Sequence, residues 1–327
     1  TAELNIMDGV TSSAAELNLL DGVTELPATS VNGLTDGLVE DNSMYIGNDP
    51  SSTTSTAEYN VAVGTTALDA VTTGDYNVAV GYNSLAGNTT GNYVTAIGGK
   101  ALQANTTGTG NTAVGTNALE SNTTGASNTA MGWNSLVGNT TGSNNLALGV
   151  NTMFYNTTGY KNVALGDYGL WANTEGMENV AISGNGPLYK NTTGSQNIAI
   201  GAASLYNNET GNYNIAIGRS SLYSNTASNN VGIGHESLKS NTTGTDNVGV
   251  GYKALNATTT GKDNAALGRE ALMSNTTGDY NIAIGSGALF TSTTADHNVA
   301  IGYEALTSNT TGGENVAIGY GTLQMST

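Results

Sequence analysis

The sequence predicts a parallel β-solenoid, and three observations carry that prediction. A unit of the form Asn-x-Ala-x-Gly recurs sixteen times, with first positions at 60, 77, 94, 111, 128, 145, 162, 179, 197, 214, 230, 247, 264, 281, 298 and 315. Thirteen of the fifteen spacings are 17 residues; the other two, 18 (179 to 197) and 16 (214 to 230), cancel. Departures inside the motif are few: Val94 stands for Asn, Gly232 and Gly249 for Ala, and Ser183 for Gly. A period this strict means one small unit stacked many times, which points to a rod or binding surface rather than a single pocket.

Each unit reads as two short strands and two turns. Residues 77–93 run Asn-Val-Ala-Val-Gly, Tyr-Asn-Ser-Leu-Ala-Gly, Asn-Thr-Thr-Gly, Asn-Tyr, and the first five alternate as a strand does. Position four is always a large aliphatic, from Val63 and Val80 through Met131 to Ile318, and is expected to face a core. Position three is Ala in fourteen copies and lies on the opposite strand face. A row that rejects both polar and bulky residues is expected to be covered from outside. Three parallel rolls around an axis would cover it, which places Ala113, Ala130, Ala147 and Ala164 at the interface of a homotrimer. Position nine, Leu68, Leu85, Met153 and their equivalents, is expected to be the inward residue of the second strand. Gly at position five fits a tight bend. Asn-Thr-Thr-Gly at positions twelve to fifteen is the return turn, its Gly expected at positive φ. Stacked at ~4.8 Å, such coils give a rod of roughly 75 Å.

The two irregular units are expected to keep register. The extra residue falls near Ser183–Pro187 and the missing one within 225–229, so Ile200 and Ile233 should still face inward.

The chain divides into 1–24, 25–55 and the solenoid 56–327. Thr1–Thr11 returns as Ala14–Thr24 around Ala-Glu-Leu-Asn-x-x-Asp-Gly-Val-Thr. Each copy reads as a short, partly helical turn that cannot stand alone. Residues 25–55 hold Pro27, Pro50 and a Ser/Thr run and read as a connector. Thr1 carries no signal-peptide pattern, and both ends fall in repetitive sequence, so a longer or processed polypeptide is expected.

Composition removes several function classes. Eight Lys and Arg against 25 Asp and Glu give a net charge of −17, which argues against nucleic acid and anionic membrane surfaces as partners. No apolar run is long enough to insert in a bilayer as a helix. Without Cys there are no disulfides or thiolate metal sites.

The units 77–87 and 315–320 resemble the head repeats of trimeric autotransporter adhesins. That resemblance implies trimers of left-handed β-rolls, although 17 residues is longer than the commonest head repeat. The pairs in residues 1–24 are similar to repeats common in bacteriophage tail fibres, and imply a virion fibre in preference to a bacterial surface adhesin.

Catalytic chemistry has little footing. His235 and His297 occupy ordinary repeat slots, and neither has a second His for a metal pair. No Gly-x-Ser-x-Gly elbow precedes a helix. Asp75, Glu120, Asp167, Glu175, Asp246 and Asp279 scatter over turns and read as solvated charge. The calcium nonapeptide of other β-rolls is absent, so no cofactor or metal is expected. The Asn-Thr-Thr triplets match glycosylation sequons but read better as turns whose Asn and Thr form ladders between coils. Aromatics are the one candidate contact set: Phe154, Tyr155, Tyr160, Tyr168, Trp171 and Tyr189 gather around the 18-residue unit and could meet a host-surface glycan. The expected role is a non-enzymatic fibre segment that joins other fibre or virion proteins and presents a recognition tip. The second class, an ice- or surface-binding solenoid, fits poorly because adjacent Thr residues do not share a strand face.

Overall fold

The computed structural model describes residues 37–324 apart from 48, 49 and 51. The repeats in 1–24, with the helical turns expected of them, lie outside the described residues. The described chain is all-β: one sheet of eighteen strands, with no helix among the described residues. β1 (Gly37–Glu40) and β2 (Ser43–Ile46) form an antiparallel hairpin. β2 then pairs in parallel with β3 (Val61–Val63), so the solenoid sheet begins within the stretch read as a connector. From β3 to β18 (Val316–Ile318) each coil contributes one three-residue strand to a continuous parallel ladder.

The ladder is in register throughout. Ala79 pairs with Ala96, Ala96 with Ala113, and Ala113 with Ala130. The 18- and 16-residue coils do not break it: Ala181 faces Ala199 and Ala216 faces Gly232. The extra residue is absorbed in a bulge at 183–186, where Asn185 and Gly186 take φ of 63° and 60°. In the short coil Asn225 closes its turn onto Ala227 O, one residue earlier than the usual partner.

The strand faces are the reverse of the expectation. Position three points into the coil: Ala79, Ala113, Ala130, Ala147 and Ala164 are fully buried within a single chain. Position four points out with position two, giving a half-buried or exposed, buried, half-buried or exposed pattern along each strand. Ile200 and Ile233 keep register but lie in this outward row. The reason is space. Seventeen residues enclose a cross-section so narrow that Leu at position nine fills it, leaving room opposite only for a methyl group or a hydrogen. A Cβ built on Gly232 would stand 2.6 Å from Ser221 Oγ and 3.1 Å from Leu222 Cγ. The four alanines assigned to a trimer interface are therefore interior residues, and no second chain is needed to cover them.

The second strand is also absent. Position nine takes the left-handed conformation in every coil, with φ from 49° at Met153 and Leu205 to 55° at Leu68. That conformation costs an L-residue roughly 1–2 kcal/mol. Complete burial of the side chain contributes about 1.5–3 kcal/mol, so the balance favours burial. Backbone bonds to the next coil add to it: Leu85 N donates to Ala101 O at 2.9 Å. The bend at position five is as expected, Gly81 having φ 132°. Gly at position fifteen is not at positive φ; it is required because a Cβ on Gly91 would collide with Asn88 Oδ1 and with Gly108 O.

Two buried asparagine ladders run along the coil beside the leucines. At position one, Asn77 N donates to Asn60 Oδ1 at 2.9 Å, while Asn77 Nδ2 donates to Gly91 O at 2.9 Å. At position twelve, Asn105 Nδ2 donates to Asn88 Oδ1 at 2.8 Å and to Gly108 O at 3.0 Å. The second ladder runs unbroken from Asn88 to Asn208. Burying an amide is costly unless it is hydrogen-bonded, and within this unbroken stretch each coil satisfies its neighbour. Every Asn of the Asn-Thr-Thr triplets is thereby buried, which leaves none of those sequons open to glycosylation in the folded chain.

Candidate functional site

Because equivalent positions stack from coil to coil, any residue type repeated at one position forms a column on the rod. Three columns stand out.

The first is aromatic and occupies position ten. Trp171, Tyr189, Tyr206 and Tyr223 stack with ring centroids 4.9, 5.0 and 5.3 Å apart and planes within 11° of parallel. Phe154 continues the column below Trp171 at 6.2 Å, and Tyr155 meets the Trp171 ring edge-on at 4.7 Å. Beside it the bulge at 183–186 opens a shallow groove of about 280 Å³, lined by Tyr168, Asn185, Gly186, Tyr189 and Tyr206. Tyr168 is tilted 49° to Tyr189 at 6.5 Å. Burial, then the neighbouring Tyr206, Tyr168 and Tyr155 phenols, raise the Tyr189 pKa above its ordinary 10.0.

Of the sequence-predicted contact residues, Tyr155, Tyr168, Trp171 and Tyr189 come together here. Tyr160 does not: it occupies position sixteen beside Lys161, whose Nζ lies 5.7 Å from its ring. Tyr206 and Tyr223 were missed, although each follows its predecessor by 17 residues and so belongs to the same column.

The second column is the outward aliphatic face of positions two and four. It runs the length of the ladder and includes Ile97, Met131, Val248, Leu267, Ile282 and Ile284, each at least 40% exposed. Position two is Thr at 95, 112 and 129 and Ala at 265, and elsewhere both side chains are larger aliphatics; together they make a largely apolar ridge on the order of 500 Å², toward the upper end of the largest patch a soluble monomer shows.

The third holds hydrogen-bonding groups that are already used. At position sixteen, Asp75 Oδ1 accepts from Glu58 N at 2.8 Å, and Asp296 Oδ1 accepts from Asp279 N at 2.8 Å. At position six, Asp167 Oδ1 likewise accepts from Val150 N at 2.9 Å. Asp75 and Asp167 are therefore backbone acceptors between coils rather than free surface charges. Thr hydroxyls at position thirteen are likewise committed, as where Thr89 Oγ1 donates to Thr106 O at 3.1 Å. The adjoining Thr row, with Thr90 and Thr107, is exposed.

The histidines are stacked rather than paired. His235 lies on Tyr252 at 5.7 Å and His297 on Tyr280 at 5.0 Å. No cluster of three metal-ligating side chains and no helix long and apolar enough to cross a membrane occur among the described residues. Comparison with protein-family models, curated proteins and solved structures finds no match to this chain.

Proposed function

We propose that this chain is a structural and adhesive fibre segment that spaces and presents a host-recognition tip. The observation that carries the reading is the in-register ladder, which holds through sixteen parallel strand pairings and both irregular coils. A scaffold of this kind transmits force through the hydrogen bonds that join each coil to the next, and it dilutes any unique pocket over near-equivalent coils. We place the segment in a bacteriophage tail fibre, on the likeness carried by residues 1–24, in a virion with other fibre proteins as partners. The head of a bacterial trimeric adhesin at the cell surface is the second reading, favoured by the motif at 77–87.

Self-association into a parallel homotrimer of left-handed rolls belongs to the same proposal, with its basis moved from the alanines to the outward ridge. A ridge of this size, two residues wide and repeating every coil, matches another copy of itself in length and spacing, and its ~500 Å² is somewhat over half of one side of a standard interface, the remainder to come from the flanking turns. No turnover is assigned to the segment. The aromatic column would add weak contact to a host glycan, multiplied threefold in a trimer.

Electron microscopy of the purified chain tests the rod: straight particles about 75 Å long support it, and compact ones count against it. Beads densely coated with the chain should retain host cells better than soluble chain binds them. Release of product from polysaccharide, abolished by one acidic substitution, would overturn the non-enzymatic reading.

A further inference from the structure

Basic residues are scarce in this chain, yet four of the eight, Arg219, Lys239, Lys253 and Arg269, fall close together on four consecutive coils. Arg219, His235, Tyr252 and Arg269 hold position six of those coils and form one column, ~4.8 Å per step. Backbone bonds fix the adjoining position: Glu236 N donates to Arg219 O at 3.0 Å, Lys253 N to His235 O at 3.0 Å, and Glu270 N to Tyr252 O at 2.8 Å. Tyr252 organises the cations. His235 stacks on its ring within 11° of parallel, and Lys253 Nζ and Arg269 Cζ lie 5.3 and 5.9 Å from its centroid. Two carboxylates pair with the cluster. Glu236 accepts Lys239 Nζ at 2.6 Å and lies 3.8 Å from Lys253 Nζ, and Glu270 takes Arg269 at 3.4 Å. Arg219 is exposed and pairs with no carboxylate among the described residues, and His235 Nδ1 is enclosed without a hydrogen-bond partner. Four cations against two carboxylates leave a local positive excess on a rod that is otherwise strongly acidic.

We propose that this column binds the carboxylate groups of an acidic polysaccharide in which charged sugars alternate with neutral ones. Charge complementarity requires an anion, and the two guanidinium groups offer forked donors suited to carboxylates. The column spans three coil steps, ~14 Å, room for one or two charged sugars. Flanking coils add no cation to the column, with Ala202 and Ala203 before it and Ser286 and Gly287 after it, so a strand charged every ~3.4 Å, as a nucleic acid is, would run most of its charges past the patch unpaired on a chain of net charge −17. Widely spaced carboxylates on a neutral, hydroxyl-rich chain meet the patch without that penalty. The site is independent of the aromatic column at Trp171 and stands whether or not the segment belongs to a fibre.

The test is calorimetric titration of the purified chain with a hyaluronan octasaccharide, with its carboxyl-reduced neutral derivative, and with a DNA oligonucleotide of equal charge. The carboxylated sugar should bind, more weakly as salt is added, and the neutral derivative should not. Arg219→Ala with Arg269→Ala, both at exposed positions, should weaken binding by about tenfold or more, with an unchanged circular dichroism spectrum. Lys100→Ala, remote and paired with Glu120, should leave binding as it is. Glu236→Gln should tighten binding several-fold by releasing Lys239 and Lys253, a gain that misfolding would not produce. Absence of binding by the carboxylated sugar, equal binding of the neutral one, indifference to the double substitution, or tighter binding of DNA would each overturn the proposal.

Discussion

Asn241 and Thr258 hold the same position in adjacent coils, and between them the buried asparagine ladder stops. Asn241 Nδ2 still donates to Asn225 Oδ1 at 2.6 Å and to Gly244 O at 2.9 Å, but its own Oδ1 has no partner. Thr258 Oγ1 is buried and unpartnered as well, and so is Ser292 Oγ, which interrupts the same row two coils on. Thr258→Asn should complete the ladder. The change relieves an unsatisfied acceptor, so a gain of about 1–2 kcal/mol is expected, read as a higher melting temperature. Asn139→Ala, in the intact part of the ladder, should lose about 2–3 kcal/mol, because it strands the buried Asn122 and Asn156 amides. Equal effects of the two substitutions would refute this view of the ladder.

Leucine at position nine makes a sharper prediction about shape than about polarity. Leu119→Met should cost less than about 1.5 kcal/mol, since Met153 already occupies the equivalent place. Leu119→Ile keeps the volume but puts a β-branched residue at φ 53°, and should cost at least twice as much. Thermal denaturation of the two variants decides it, and an Ile variant as stable as the Met variant would contradict the left-handed conformation.

The inward and outward faces of the strand should respond oppositely to charge. Ala130→Glu buries a carboxylate beside the core leucines and should prevent that part of the rod from folding. Met131→Glu, at a side chain 43% exposed, should leave the coil intact and disturb only association between chains. Circular dichroism separates the two outcomes.

Much of this architecture was legible in the residues, and its misreadings have physical causes. The 17-residue spacing fixes the stacking and the register, and Gly81 announces its own bend. The strand was turned inside out because large aliphatics ordinarily face a core, and this coil is too narrow to hold them. The correcting signal was position two: Val78, Leu146 and Ile198 are aliphatic on the same strand face as position four, whereas Ala stands alone on the other. Position nine carried a signal too. It is Leu or Met in every copy and never Val or Ile, as a left-handed residue requires and a strand does not. The aromatic column could have been found by counting in seventeens from Trp171. The groove beside it could not, because it depends on how the bulge at Asn185 is folded.

Alkaline pH offers a probe of that column. The Tyr189 phenol, raised chiefly by burial, binds its proton more tightly in the folded chain than in the unfolded one. Its contribution is therefore complete below the ordinary pKa of 10.0 and is lost as pH rises through the higher folded value. Ultraviolet titration of the native chain should show phenols ionising later than free tyrosine, Tyr76 and Tyr303 among them, and Tyr189→Phe should reduce that late component and soften the loss of stability above the ordinary pKa of 10.0. A wild-type curve superimposable on that of Tyr189→Phe would exclude the effect.

Light scattering on the native chain tests most directly whether the outward ridge joins copies of this rod. The proposal predicts a stable particle of three times the 33.0 kDa chain mass, reduced to a single chain by Ile97→Glu, Met131→Glu and Leu148→Glu together with the circular dichroism unchanged. A folded native chain that remains at 33.0 kDa at all concentrations would contradict it.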